Sequence, residues 1–149
     1  MGMKIRMTEI IIWDEKAYIA SNACVPSGLF TSIEPVFVVN PTLGELIPVV
    51  QKVLFSEHKL LPQLTRDEIK AQQGLLPKIT GARSWKRLGQ KGISYIIELT
   101  EKGFLVEMSR LDSKGRWEFD PNKRTTFLPD TDLSVVIQAI LEDLKTRPK

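Results

Sequence analysis

The chain has 149 residues, of which 42% are hydrophobic and 26% charged, as is ordinary for a globular domain. This length is enough to bury a core, so residues 1–149 are expected to form a single domain. No apolar run approaches the roughly 20 residues of a membrane-spanning helix, and the N-terminus lacks the apolar segment of a secretory signal. The single cysteine, Cys24, excludes an internal disulfide, so the cytoplasm is the expected compartment.

The net charge of +3 is unevenly distributed along the chain. Residues 1–74 hold 7 Lys/Arg and 8 Asp/Glu, whereas residues 75–149 hold 14 and 10, so the balances are −1 and +4. Residues 69–97 contain no acid at all. A basic window of this kind favours contact with nucleic acid as one hypothesis. The cations that would carry such a contact are Lys78, Arg83, Lys86, Arg87 and Lys91.

The first third of the chain has the composition of β-strands. Residues 8–13 and 16–20 are rich in β-branched and aromatic side chains, and the intervening "DE" can form a turn, which predicts a strand pair. Residues 24–35 contain two prolines and a glycine and are expected to be a loop. Residues 36–39, "VFVV", predict a short buried strand.

The pattern then becomes helical from residue 42 onward. Thr42 and Glu45 form a capping box, and Pro48 is expected to kink the helix or to mark its effective start. The apolar residues predicted to share one helical face are Leu46, Val50, Val53 and Leu54. A second capping box at Thr65 predicts a two-turn helix that ends at Gly74.

The stretch "GARSWKRLGQKG", residues 81–92, places one tryptophan among four cations. An exposed Trp85 would be a stacking platform for single-stranded nucleic acid. Ser84, however, is a good N-cap, and Trp85 and Leu88 would then lie on the same side of a short helix. The capped-helix pattern favours the second interpretation, so Trp85 is expected to be buried and the cations solvated.

The second half of the chain predicts a meander of antiparallel strands. Residues 93–100 alternate as a strand covered on both faces, and "EKG" at 101–103 is a tight turn that uses its glycine. Further strands are expected in "FLVEMSRL", "RWEFD" and "TTFLP". Residues 133–144 keep helical spacing, with Asp130, Thr131 and Asp132 as possible N-caps, and residues 146–149 are expected to fray. The predicted fold class is α+β, an antiparallel sheet packed by helices, with a helix at the C-terminus.

The residues that enzymes use for catalysis are scarce. The chain has one histidine, His58, and one cysteine, and it shows no zinc-ligand spacing, nucleophile elbow or phosphate-binding glycine loop. A hydrolase built on Cys24 and His58, or on clustered acids, is a further hypothesis that the sequence leaves open. The aspartates of the second half fall in turns and caps, where they are expected for backbone hydrogen bonding. The sequence therefore favours a protein that is not an enzyme and that uses no metal or cofactor.

Several segments taken together resemble one known family. "GARSWKRLGQKGISYIIEL" with Ser84, Trp85 and Lys86, then "GFLVEMSRL", a loop ending "FLP" and the closing "DLSVVIQAILEDL" resemble the immunity proteins of contact-dependent growth inhibition, the CdiI family. Upstream, "TLGELIPVVQKVL" is similar to a Leu-Gly-containing helix of the family. These segments cover about two thirds of the chain, and residues 1–40 contribute little.

The resemblance implies a small cytoplasmic bacterial protein that binds and neutralises a toxin domain, expected to be a nuclease. A nuclease surface is usually basic and would favour an acidic partner, whereas this chain is net basic. A local acidic patch would resolve that conflict. The candidate toxin contacts are the acids Glu98, Glu101, Glu107, Asp112 and Glu118. The three motif residues, Ser84, Trp85 and Lys86, are assigned a structural role.

Overall fold

A tight hairpin begins the described part of the fold. The computed structural model describes residues 6–24, 30–55, 59–60, 65–67, 75–84, 86–88, 92–111, 117–119 and 124–146. Strands β1 (Arg6–Trp13) and β2 (Lys16–Cys24) pair antiparallel, with Trp13 opposite Lys16. The two turn residues have positive φ angles, 49° at Asp14 and 62° at Glu15, as a two-residue turn matched to the strand twist requires. The predicted strand pair is confirmed.

Strand β3 (Phe30–Val39) corrects the prediction of a loop over residues 30–35, whereas residues 25–29 of that predicted loop lie outside the described residues. It pairs antiparallel with β2, and the register shifts between Ala20 and Ser21. It is also the edge strand of the sheet, where a proline such as Pro35 removes no inter-strand hydrogen bond if its nitrogen faces outward. The Ser21 hydroxyl donates to the Pro35 carbonyl at 2.9 Å. Proline was therefore a poor indicator of a loop here.

The second half of the sheet joins the first through β1. Strand β5 (Ile93–Thr100) pairs with β1 on one side and with β6 (Gly103–Leu111) on the other, both antiparallel. Two short strands, β7 (Trp117–Phe119) and β8 (Thr125–Phe127), then pair with opposite ends of β6, so β8 lies beside β6 and not beyond β7. The order across the sheet is β3-β2-β1-β5-β6-β7, and a two-residue strand, β4 (Lys59–Leu60), pairs parallel with β2.

Two helices cover one face of this sheet, which we call the first face. Helix α1 (Leu43–Phe55) buries the four apolar residues predicted from its spacing, and it begins at Leu43, so Pro48 does not mark its start. The closing helix, named α3 (Leu133–Lys145) because a short α2 precedes it, contacts α1 and buries Val136, Ile137 and Ile140. Both helices pack on the inward residues of β1, β2, β5 and β6, so the first face carries the larger core.

A thinner layer covers part of the opposite, second face. Helix α2 (Leu75–Thr80), which the sequence pattern did not predict, places Leu76 against the sheet, and Ala82 and Leu88 follow it. Their partners on the sheet are Ile11, Trp13, Tyr18 and Ala20. The α+β class with a C-terminal helix is therefore confirmed. Among the helices of the described ranges, none is long and apolar enough to cross a membrane.

Candidate functional site

Three carboxylates lie on the second face, one on each of the consecutive strands β1, β5 and β6, outside the apolar cluster around Leu88. Residues alternate between the two faces along a strand, and in β1 and β5 Ile10 and Tyr95 belong to the first-face core. Glu9 and Glu98 are offset from them by odd numbers of residues and so lie on the second face. In the register, Glu9 is opposite Ile96, and Ile96 is opposite Glu107 of β6. We call Glu9, Glu98 and Glu107 the carboxylate row.

Glu9 is a partly buried member of the row. It lies on β1, an interior strand with β2 on one side and β5 on the other. The Ser94 hydroxyl donates to Glu9 Oε2 at 3.1 Å, and Ser94 itself is fully buried. Burial raises the pKa of the Glu9 carboxyl from 4.5 to about 7, and the Ser94 hydrogen bond, which favours the ionised form, opposes part of that rise.

Glu98 and Glu107 occupy neighbouring strands at the more open end of the row. Burial raises the pKa of Glu98, the negative charge of Glu107 raises it further, and the positive charge of Arg124 opposes both effects. Arg124 Nη2 lies 3.4 Å from Glu107 Oε1, with 55% of the arginine side chain exposed and 15% of the glutamate side chain. Within the described ranges, Arg124 is therefore the cation that contacts the row, and it does so through Glu107.

The other predicted toxin contacts are not part of the row. Glu101 lies exposed in the turn between β5 and β6. The backbone of Glu118 pairs with Arg110 in the register of β6 and β7, but its side chain lies outside the described set. Asp112 also lies outside the described residues. The structure thus brings Glu98 and Glu107 together and adds two residues that the sequence did not single out, Glu9 and Arg124.

The predicted helix around Ser84 is present in the part that can be described. The Arg87 backbone N–H donates to Ser84 Oγ at 3.2 Å, and the Leu88 N–H donates to the Ser84 carbonyl at 3.1 Å, so Ser84 is the N-cap. Leu88 is fully buried against the second face. Trp85 lies outside the described residues, so its burial stays a prediction.

The basic residues of the acid-free window lie on the outer surface of the second-face layer. Lys78, Arg83, Lys86 and Arg87 are all exposed, whereas the apolar residues between them face the sheet. None of these four has an ion pair among the residues that the structure describes, and Lys91 lies outside them. The sequence pattern of a short capped helix predicted this arrangement, with apolar residues against the sheet and cations in solvent.

A small cavity opens on the first face, between the sheet and α3. Its volume is about 230 Å³, and it is lined by Tyr95, Val106, Met108, Thr125, Ala139, Ile140 and Asp143. The Tyr95 hydroxyl donates to Asp143 Oδ2 at 2.7 Å, which ties β5 to α3. This hydrogen bond satisfies the polar end of a buried aromatic side chain, as a core tyrosine requires.

The candidate metal ligands and nucleophiles lie partly outside the described ranges. No group of three or more His, Cys, Asp or Glu side chains there could hold a metal ion. Cys24 lies at the end of β2 with its side chain outside the described set, and His58 lies outside it altogether. The proposed Cys24–His58 pair therefore stays an untested hypothesis.

Comparison with known proteins finds structural similarity and no match in sequence. No family model matches the chain, and no curated protein matches it. The fold is similar to that of a chain in the CdiA-CT/CdiI toxin and immunity complex from Yersinia pseudotuberculosis, with TM-score 0.65 and 9% identity, over 95% of this chain and 97% of that one. It is also similar to the protein of unknown function NMB0488 from Neisseria meningitidis, with TM-score 0.64 and 11% identity, over 97% and 96%.

This similarity extends over nearly the full length of all three chains. At such low identity it establishes a shared fold and does not establish a family. The fold of this protein therefore resembles that of a component of a toxin and immunity complex.

Proposed function

We propose that this chain is an immunity protein that binds the C-terminal toxin domain of a contact-dependent growth inhibition system and neutralises it. The observation that carries the proposal is the fold similarity, over almost the whole of both chains, to a chain of the Yersinia pseudotuberculosis toxin and immunity complex. The resemblance of the segments around Ser84, along β6 and in α3 to immunity proteins supports the same conclusion. The chain then acts in the cytoplasm by binding, without catalysis of its own.

The carboxylate row is the part of the described surface that best suits a basic toxin. A nuclease holds nucleic acid with cations, and an inhibitor that covers those cations needs acids in the complementary position. The net charge of +3 would repel a basic toxin from the chain as a whole. Glu98 and Glu107, however, form a local acidic surface with one described cation beside it. In this proposal the toxin contacts these two residues, and Glu101 in the adjoining turn extends the contact.

The direct test is protection and binding with the toxin encoded next to this gene. Cells that express the toxin domain should survive only when this chain is co-expressed, and the two purified proteins should form a complex of nanomolar affinity. Glu98→Lys and Glu107→Lys are each expected to weaken binding by roughly tenfold or more, because each places a cation opposite the cations of the partner.

Glu142→Lys provides the matched control for this experiment. It makes the same change of charge on the exposed side of α3, where Glu142 contacts only Gln138 and Lys145 among the described residues. Binding by this variant should stay close to wild type. The absence of both complex and protection would refute the proposed function, whereas equal binding by all three variants would remove only the carboxylate row from the interface.

A second candidate function is nucleic-acid binding by the cationic surface. Four of the five predicted residues, Lys78, Arg83, Lys86 and Arg87, are exposed together on one layer of the fold. Such binding would weaken steeply as salt rises, because bound cations are released from the phosphates. A mobility-shift titration at low salt should show no complex if the chain is a toxin inhibitor, and a salt-sensitive complex would favour this alternative.

A further inference from the structure

Glu9 occupies a place in the fold where a carboxylate is difficult to ionise. Its strand is interior to the sheet, and its neighbours on the second face include the buried residues Ile11 and Ile96. The Ser94 hydroxyl, 3.1 Å away, is the hydrogen-bond partner that the structure gives it. Because Glu9 is partly buried, part of the water that would stabilise a negative charge is replaced by protein, and a single hydroxyl does not fully compensate for that loss.

The charged groups around Glu9 do not provide the missing compensation. The titratable groups on the second face of the other strands include Tyr18 on β2, Glu98 on β5 and Glu107 on β6, and none of these three is directly opposite Glu9 in the register. Two of these are acids, which offer no positive charge to an ionised Glu9. Arg124, which precedes β8, forms its ion pair with Glu107. The cations of the covering layer, Lys78, Arg83, Lys86 and Arg87, are exposed to solvent. No cation of the described ranges contacts Glu9.

We propose that Glu9 is a proton-linked element of the fold, which holds a proton near neutral pH in the folded protein and releases it when the sheet opens or unfolds. As a neutral acid, Glu9 can both donate and accept hydrogen bonds with Ser94 and adds no charge to the row. As a carboxylate it adds a negative charge to this side of the sheet. The stability of this side of the sheet therefore depends on pH. The inference concerns the isolated chain and does not depend on the proposed function.

The direction of the pH effect follows from the two protonation states. The folded pKa of about 7 lies above the ordinary value of 4.5, so between these values the folded protein binds more protons than the unfolded chain. The contribution of Glu9 to stability is then fully present below about pH 4.5 and is lost as the pH rises through 7. The resulting increase in the unfolding equilibrium constant from pH 5.5 to 8.5 is about thirtyfold.

The test compares denaturant unfolding of the wild type and of Glu9→Gln at several pH values from 5.5 to 8.5. Glutamine resembles the protonated acid in shape and cannot ionise, so the variant should gain stability relative to wild type as the pH rises. The ratio of the two unfolding constants is expected to change by about thirtyfold over this range. Glu101→Gln removes an exposed carboxyl from the β5–β6 turn, and its ratio to wild type should stay constant. A constant ratio for Glu9→Gln as well would overturn the proposal.

A titration of the wild type provides a readout that does not depend on how well the variant folds. With glutamate side chains labelled with carbon-13, one carboxyl signal should titrate near pH 7, and it should persist in Glu98→Gln, which removes the other acid of raised pKa. If every glutamate carboxyl of the folded protein titrates below about pH 5, Glu9 does not hold a proton at neutral pH and the proposal fails.

Discussion

Gly103 shows at the scale of a single residue how closely the strands approach at the β5–β6 turn. Its φ angle is +119°, and a Cβ added to it would overlap the carbonyl oxygen of Phe127 on β8. Side chains rarely adopt this backbone conformation, and backbone atoms cannot move aside as a flexible side chain can. Both effects act against any other residue at this position. The sequence predicted the turn, but not the contact with β8, which depends on a pairing between distant segments.

Substitution of Gly103 by alanine should therefore destabilise the protein strongly. Gly103→Ala is expected to lower the free energy of unfolding by about 2 kcal/mol or more, from strain in the backbone and the overlap with Phe127. Gly44 is the matched control, because it lies exposed within α1, where an added Cβ meets no atom within 4 Å. Gly44→Ala should raise the free energy of unfolding by up to about 1 kcal/mol. Urea denaturation measures both, and a shift of the same sign for the two variants would contradict this account.

At the scale of the element, helix α3 uses one of the three N-caps that its sequence offered. Asp132 has an extended conformation, and its side chain accepts a hydrogen bond from the Ser134 N–H at 3.1 Å. Asp132→Ala should lower the free energy of unfolding by about 1 kcal/mol and the melting temperature by roughly 3 °C. Asp130→Ala removes the same type of side chain two residues earlier, outside the helix, and should leave the melting temperature near that of wild type. An equal decrease for both would show that charge near the helix, and not the cap, is responsible.

Elements with a strong local pattern were the ones that sequence predicted correctly. In α1 the buried residues follow directly from apolar spacing, because one face of a helix is specified by its own segment. Helix α2 was missed because "LLPKIT" contains a proline, has no capping box and is only six residues long. The first half of β3 was missed because Pro35 suggested a loop, and its place at a register irregularity of an edge strand makes the proline compatible with a strand.

The carboxylate row could not have been predicted from the sequence for a related reason. Alternation along β5 and β6 assigns Glu98 and Glu107 to faces, but which strands lie side by side depends on pairings across long stretches of chain. Glu9 belongs to the row only because β1 inserts between β2 and β5. A glutamate directly before the apolar run "IIIW" was the available signal, since a charged residue inside an otherwise buried strand is unusual.

At the scale of the whole molecule, β1 and β5 form the centre from which the rest of the fold is built. Each of them has a neighbouring strand on both sides, and together they contribute buried residues to both faces, including Ile10, Ile11, Tyr95 and Ile96. Their amides are therefore expected to open for hydrogen exchange only when the whole domain unfolds. The three-residue strand β8 has exposed threonines and pairs with β6 alone, so its amides should exchange through local opening.

Amide hydrogen exchange followed by NMR measures the protection of both the central strands and β8. The slowest amides should be those of Ile10 to Ile12 and of Tyr95 to Ile97, with protection close to the global free energy of unfolding, and Thr126 should exchange at least about a hundredfold faster. If β8 were as protected as β1, the sheet would unfold as one unit, and the hierarchy from centre to edge proposed here would be wrong.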